Sequence, residues 1–146
     1  MKDSNVYFVG EDLLRDREEV KHEVVAFAKN LIKLGYNQFF FPQTPFGEVA
    51  LEAISQLREE FVFIKRIIFF NDDIGRKNIE YKVRLGECEG GKILNLKDEQ
   101  GPYAKNVAIM KMPGLVIMHM PVSSKEMEYA VQNHVIFLNS INSLKF

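Results

Sequence analysis

The segment that decides the fold is residues 37–70, NQFFFPQTPFGEVALEAISQLREEFVFIKRIIFF. Its aromatic run ends at Pro42, and its closing run Ile67–Phe70 is typical of strands that are buried on both faces. Between them, Thr44 followed by Pro45 indicates a helix start, because a hydroxyl caps the first turn and proline needs no N–H there. Apolar residues then recur at helical spacing. The segment therefore predicts a strand, a helix and a strand in close succession.

The same alternation continues towards the N-terminus. Val6–Val9 is a short strand-forming run that stops at Gly10. An acidic stretch follows, in which Asp16 with Glu19 forms a candidate capping box, and Asp12 is the alternative cap for an earlier start. The predicted helix has one apolar face and stops at Gly35. The residues of that face are Val20, Val24, Phe27, Leu31 and Leu34.

Towards the C-terminus the alternation returns after an interruption. Leu115–Met120 predicts another buried strand, Ser123 with Glu126 a helix start, and Val135–Leu138 a last strand. The interruption is residues 78–96, where apolar and charged residues alternate with period two around the glycine-rich stretch Gly86–Gly91. We expect this stretch to form a turn in a β-hairpin.

Together these patterns predict one α/β domain over residues 1–146, with a Rossmann-like parallel sheet of about five strands and helices on both faces. Counting the predicted strands along the chain, the expected spatial order is 3-2-1-4-5, as in doubly wound sheets. The hairpin near 78–96 is expected as an insertion.

Composition narrows the function classes. The chain has 146 residues, 47% of them hydrophobic and 27% charged, with a net charge of −1. This balance favours neither a nucleic-acid partner nor a membrane surface. The single cysteine, Cys88, excludes a disulfide within the chain, so a cytoplasmic location is expected. His22, His119 and His134 lack the spacing of metal ligands, so neither a metal nor a cofactor is predicted.

Several stretches, in their order along the chain, resemble small bacterial proteins of the SLOG superfamily. The stretch 46–53, FGEVALEA, with 57–61 and 64–66 after it, is similar to a helix and strand of that family. Phe8–Gly10, Ala104–Asn106 with Met110, and 127–130 followed by 135–138 resemble its first strand, an Arg-Asn element and its final helix and strand.

The resemblance implies a Rossmann-like domain that binds nucleotides or nucleotide-derived ligands at the carboxyl ends of its strands. Phe46 would stack on a base and Asn106 would bond a phosphate or ribose. Capping alone explains the residue type at Thr44, whereas a simple turn and a place at the pocket explain Gly10 with Glu11 equally well. The candidate ligand-binding residues are Gly10, Glu11, Gln43, Thr44, Phe46, Gly47 and Asn106.

The phosphate loop departs from the family. It contains Pro42 and Pro45, which have no N–H, and Gly47 stands where the relatives carry aspartate. The glycine-rich run of the phosphoribohydrolases is missing. The expected function is therefore non-catalytic binding of a nucleotide-like small molecule. The alternatives are an interaction module that has lost its ligand and forms a homodimer, or an N-glycosidase acting on nucleoside monophosphates through Glu48 or Glu52.

Overall fold

The computed structural model describes residues 4–11, 13, 15–60, 64, 66–71, 89–93, 104–119 and 123–138. Its strands are β1 (Asn5–Val9), β2 (Gln38–Phe41), β3 (Arg66–Asn71), β4 (Glu89–Ile93), β5 (Leu115–Met118) and β6 (Ile136–Phe137). Its helices are α1 (Arg17–Lys33), α2 (Pro45–Glu60), α3 (Ala104–Met110) and α4 (Ser124–Gln132).

These strands form one sheet in the order β4-β3-β2-β1-β5-β6. Every neighbouring pair is parallel, with β1 lying between β2 and β5. The expected α/β class with a parallel sheet is confirmed. Within the described residues the sheet has six strands rather than about five, because the chain around residue 90 contributes an edge strand.

The edge strand β4 corrects the expectation for residues 78–96. Gly90 and Gly91 were expected in a turn, but both lie in β4, where Gly90 is paired with Phe69 of β3 in parallel. The register shifts between Phe69 and Phe70, so Gly91 is the extra residue of an irregularity in the ladder. Glycine is common at such places in strands. The rest of the predicted hairpin, 78–88 and 94–96, lies outside the described residues.

Helices cover both faces of the sheet, as predicted. Alternate residues of β1 point to opposite sides: Val6 and Phe8 pack with α1 and α2, whereas Tyr7 and Val9 pack with α3 and α4. Aromatic rings reinforce both layers across the strands. Tyr7 stacks on the Phe40 ring with a centroid distance of 4.7 Å, and Phe8 stacks on Phe41 at 5.2 Å. The central strands β1 and β2 are therefore buried on both faces.

The predicted helix caps are present. The Asp16 carboxylate accepts a hydrogen bond from the Glu19 N–H at 3.2 Å, and Ser123 Oγ accepts one from the Glu126 N–H at 3.2 Å. Gly35 follows α1 with a φ of +104°, a conformation that glycine adopts without strain. Leu34 was expected on the buried face of α1, but it is 72% exposed, because the helix ends at Lys33 and the chain turns there.

Candidate functional site

The candidate site lies at the carboxyl ends of β1 and β5. The chain builds the sheet outwards from β1 to β4 and then returns to place β5 on the other side of β1. In open α/β sheets, ligands bind in the crevice where the strand order reverses in this way. Val9 and Met118 are paired at the ends of these two strands. Gly10 and His119 follow them directly, so both residues reach this crevice.

The start of α2 determines whether this crevice can hold an anion. Pro45, the first helical residue, has no N–H. The Phe46 N–H donates to the Glu11 carbonyl at 3.0 Å, and the Gly47 N–H donates to Thr44 Oγ1 at 3.0 Å. Phosphate binding at a helix start needs N–H groups that point at the ligand. Here the protein itself uses the first two that follow Pro45.

The hydroxyl of Thr44 is engaged twice. It accepts the hydrogen bond from Gly47 as an N-cap, and it donates to the Gly10 carbonyl at 2.7 Å. The carbonyl of the same residue accepts the Glu48 N–H at 2.9 Å. The capping role considered for Thr44 in the sequence is therefore present. Its hydroxyl proton is already used in the hydrogen bond to the Gly10 carbonyl. This bond joins the start of α2 to the residue that follows β1.

Two glycines permit this close packing. A Cβ on Gly47 would lie 1.9 Å from the Pro42 carbonyl oxygen, so no other residue fits without movement of the backbone. Gly10 has a φ of +142°, and a Cβ there would lie 3.2 Å from the Phe46 ring. Both glycines therefore serve the approach of the protein to itself. Neither requires a ligand to explain it.

The Phe46 side chain is enclosed by other parts of the protein. The sequence predicts that its ring stacks on a nucleobase, but the ring is fully buried. It meets Phe8 edge-on with the centroids 6.3 Å apart and stacks on the His119 imidazole at 5.4 Å. Because protein groups already occupy its surroundings, no face of the ring is open to a base in this structure.

His119 is the polar residue at the centre of the crevice. Its ring is 1% exposed, and its Nε2 is hydrogen-bonded to the Leu13 carbonyl oxygen in the β1–α1 loop. Burial lowers the pKa of His119, and the nearby Arg15 guanidinium lowers it further, whereas the bond to Leu13 and the charge of Glu23 act in the opposite direction. The net direction is downward, which favours a neutral imidazole.

The β1–α1 loop covers this histidine. Glu11 is exposed and contributes its backbone carbonyl, not its carboxylate, to the contact with α2. Arg15 binds both carboxylate oxygens of Glu23 at 2.8 and 2.7 Å and also reaches Glu19 at 2.8 Å. These pairs raise the pKa of Arg15. The loop is therefore tied to α1, α2 and β5 at the same time.

Two more predicted residues lie away from this group. The Gln43 amide donates to the Phe70 carbonyl of β3 at 2.7 Å, so it links β2 to β3. Asn106 lies in α3, on the opposite face of the sheet, where its Nδ2 donates to Glu126 Oε2 of α4 at 3.1 Å. Both partners of that second bond are buried. The structure therefore brings together Gly10, Glu11, Thr44, Phe46 and Gly47, and it places Gln43 and Asn106 in separate contacts.

The two carboxylates considered for catalysis, Glu48 and Glu52, both lie near Arg17 of α1. Glu52 forms an ion pair with Arg17, which joins α2 to α1. Glu48 lies in the first turn of α2, half-buried, close enough to Arg17 to contribute to the raised pKa of that guanidinium. Within the described part of the chain, no group of three or more histidine, cysteine, aspartate or glutamate side chains is arranged to hold a metal ion.

The sequence did not indicate two contributors to the site, Leu13 and Arg15, nor the separate contact of Glu126 with Asn106. Arg15 lies just before α1 and precedes Glu19 and Glu23 by four and eight residues, a charge spacing that was available as a signal. Leu13 acts through its backbone carbonyl, which no side-chain pattern reveals. Glu126 was noticed only as part of a cap, and its contact with Asn106 spans 20 residues.

Comparison with known proteins leaves the family open. No protein-family model matches the chain, and no curated protein is similar to it in sequence. Among the helices that the structure describes, none has the length and apolar character needed to cross a membrane.

Proposed function

We propose that this protein is a non-catalytic, Rossmann-like interaction module, diverged from the SLOG kind, in which the phosphate site at the start of α2 has been replaced by contacts within the protein. The reversal of strand order at β1 supports the Rossmann-like relation. The observation that carries the loss of phosphate binding is the use of the N–H groups after Pro45: one bonds Glu11 and the next bonds Thr44.

The side chains at the crevice support a non-catalytic role. General acid–base catalysis needs a titratable group within hydrogen-bond reach of a substrate atom. His119 is buried against Phe46 and bonded to Leu13, and Glu52 is ion-paired with Arg17. The placement of these groups therefore does not support N-glycosidase activity. We expect no difference between Glu52→Gln and wild type in the amount of nucleobase released from nucleoside monophosphates.

A homodimer through the outer face of α4 is the form of interaction that we propose. Met127 and Val131 are four residues apart on this helix, and they are 42% and 62% exposed. Residues at this spacing lie on the same side of a helix, so the two side chains form an apolar stripe on an outer surface. The net charge of −1 causes little repulsion between two copies.

Sedimentation velocity tests the dimer. Wild type is expected to sediment as a dimer and Val131→Lys as a monomer, because a charge in the stripe opposes burial. Leu34→Lys is the matched control, since Leu34 is 72% exposed at the end of α1, away from α4; it is expected to remain a dimer. A wild type that stays monomeric at its highest soluble concentration contradicts this form of the proposal.

The second candidate function is binding of a nucleotide-derived small molecule. It is favoured by position: Gly10 follows β1 and Thr44 precedes α2, at the carboxyl edge of the sheet, where such ligands bind. Thermal-shift measurement with a nucleotide panel distinguishes the two candidates. A ligand at about 100 times its Kd stabilises the fold by about 2.7 kcal/mol, so a clear rise in Tm favours binding, and no rise for any nucleotide favours the interaction module.

A further inference from the structure

The β1–α1 loop follows β1 at the carboxyl edge of the sheet, and three of its described residues, Glu11, Leu13 and Arg15, are each held by a contact with another part of the fold. The Glu11 carbonyl accepts the Phe46 N–H at 3.0 Å. The Leu13 carbonyl is bonded to His119. Arg15 holds Glu23 and Glu19 on α1. The first and third contacts use a backbone amide and an arginine, which keep their protonation state in ordinary buffers. Only the second contact involves a group that titrates near neutral pH.

The hydrogen bond to Leu13 fixes the tautomer of His119. A carbonyl oxygen only accepts, so Nε2 must carry the proton in the neutral ring. Nδ1 then holds a lone pair, and this buried atom has no hydrogen-bond partner among the described residues. Protonation would place an N–H at Nδ1 and a positive charge on the ring. A buried donor that is left unpaired costs about 1–3 kcal/mol, and more when it is charged.

The two charged groups near the ring act in opposite directions on this protonation. Arg15, in the loop, bears a positive charge and lowers the pKa of His119. Glu23, on α1, acts in the other direction, but both of its carboxylate oxygens are already bonded to Arg15. The element packed on the face of the ring is α2, which presents the uncharged Phe46. An imidazolium is therefore more stable in water than in this closed position.

We propose that His119 is a pH-sensitive latch, which as a neutral imidazole holds the β1–α1 loop closed over the crevice between β1 and β5 and on protonation releases it. Release exposes the ends of the two strands together with the start of α2. The latch does not depend on which candidate function is correct, because it concerns the access to the crevice and not the occupant.

Amide hydrogen exchange measured by NMR tests the latch. The Phe46 N–H reports loop opening, since its acceptor is the Glu11 carbonyl of the loop; amides of β1 and β2 report global unfolding. If opening is coupled to proton uptake, the protection factor of Phe46 falls up to about tenfold between about pH 7.5 and about pH 5.5. The strand amides exchange through global unfolding and are expected to stay more protected than Phe46 at both pH values, because loop opening costs less free energy than global unfolding. Protection of Phe46 equal to that of the strands, or a Phe46 change below about twofold, overturns the proposal.

Two variants distinguish the effect of His119 from that of another histidine. His119→Gln keeps a neutral N–H donor that does not titrate, so protection of the Phe46 amide is expected to be independent of pH. His22→Gln is the matched control, because it removes an exposed histidine of α1 and is expected to retain the wild-type pH dependence. If His119→Gln fails to fold, measurements on the wild type still test the proposal. The exchange of the Phe46 amide and the chemical shifts of the His119 ring must then change with pH at the same midpoint.

Discussion

At the scale of single residues, Gly47 shows why the start of α2 has its present form. Within a helix, replacing glycine by alanine ordinarily stabilises the fold by up to about 1 kcal/mol. At this position the new Cβ would lie 1.9 Å from the Pro42 carbonyl oxygen. Forced overpacking typically costs about 1–3 kcal/mol, so the clash outweighs the helical gain. The glycine that remains in this loop is thus explained by packing.

We therefore predict that Gly47→Ala lowers the free energy of unfolding by about 1–3 kcal/mol. Urea titration followed by circular dichroism measures it. Pro45→Ala is the control: Pro45 is exposed at the first helical position, where alanine fits equally, so its midpoint should stay near that of wild type. An alanine at 47 without effect would show that Pro42 is free to move away.

Thr44 provides a second prediction at this scale. Thr44→Val keeps the shape of the side chain but removes both bonds of the hydroxyl, to Gly47 and to Gly10. Loss of an N-cap costs about 0.5–2 kcal/mol, and the Gly10 carbonyl also loses its donor. We expect Thr44→Val to lower the free energy of unfolding by about 1–2 kcal/mol in the same urea titration. Thr44→Ser keeps the hydroxyl and should behave as wild type; equal losses in both variants would contradict the capping role.

At the scale of elements, the bond between Asn106 and Glu126 joins α3 to α4. Both side chains are buried, and the amide donates to the carboxylate at 3.1 Å. Asn106→Asp would replace a donor by a second carboxylate, so repulsion is added to the lost bond. We predict that Asn106→Asp destabilises the fold more than Asn106→Ala, whose cost is about 1–3 kcal/mol.

Urea titration at two pH values tests this contact. The difference between Asn106→Asp and Asn106→Ala should shrink as the pH falls, because protonation of one carboxylate of the pair removes the repulsion. Lys105→Ala, at the exposed neighbouring position of α3, is the control and should change little at either pH. A pH-independent difference would mean that packing, and not charge, dominates at residue 106.

The elements also show what local sequence reveals. Asp16, Ser123 and Thr44 cap their helices as predicted, because capping depends on residues only three positions apart. Predictions failed where a partner distant in the chain decides. The glycines of β4 were expected in a turn, but pairing with β3, about 20 residues earlier, makes them part of a strand.

At the scale of the whole molecule, the class of fold was predictable and the state of the site was not. Buried apolar runs alternating with amphipathic helices require a layered α/β sheet, and the carboxyl edge follows from that arrangement. The contacts that close the edge join His119 to Leu13 and Phe46 across 106 and 73 positions of the chain. Such contacts depend on how the folded elements approach one another, and one of them uses only a backbone carbonyl. The sequence thus located the crevice but did not reveal that the protein fills it.

The last prediction concerns the stability of the whole molecule as a function of pH. Burial lowers the pKa of His119 below its ordinary value of 6.5. The unfolded chain therefore takes up this proton as the pH falls through about 6.5, while the folded protein does not until a lower pH is reached. The contribution of His119 to stability is complete above about pH 6.5 and decreases below it, by at most about 1.4 kcal/mol per pH unit. Urea titrations across this range should show the free energy of unfolding of wild type approaching that of His119→Gln as the pH falls, whereas the difference between wild type and His22→Gln stays smaller and does not show this decrease. A constant difference between wild type and His119→Gln would show that the folded and unfolded states bind the proton equally, and a buried neutral imidazole would then be the wrong description of the site.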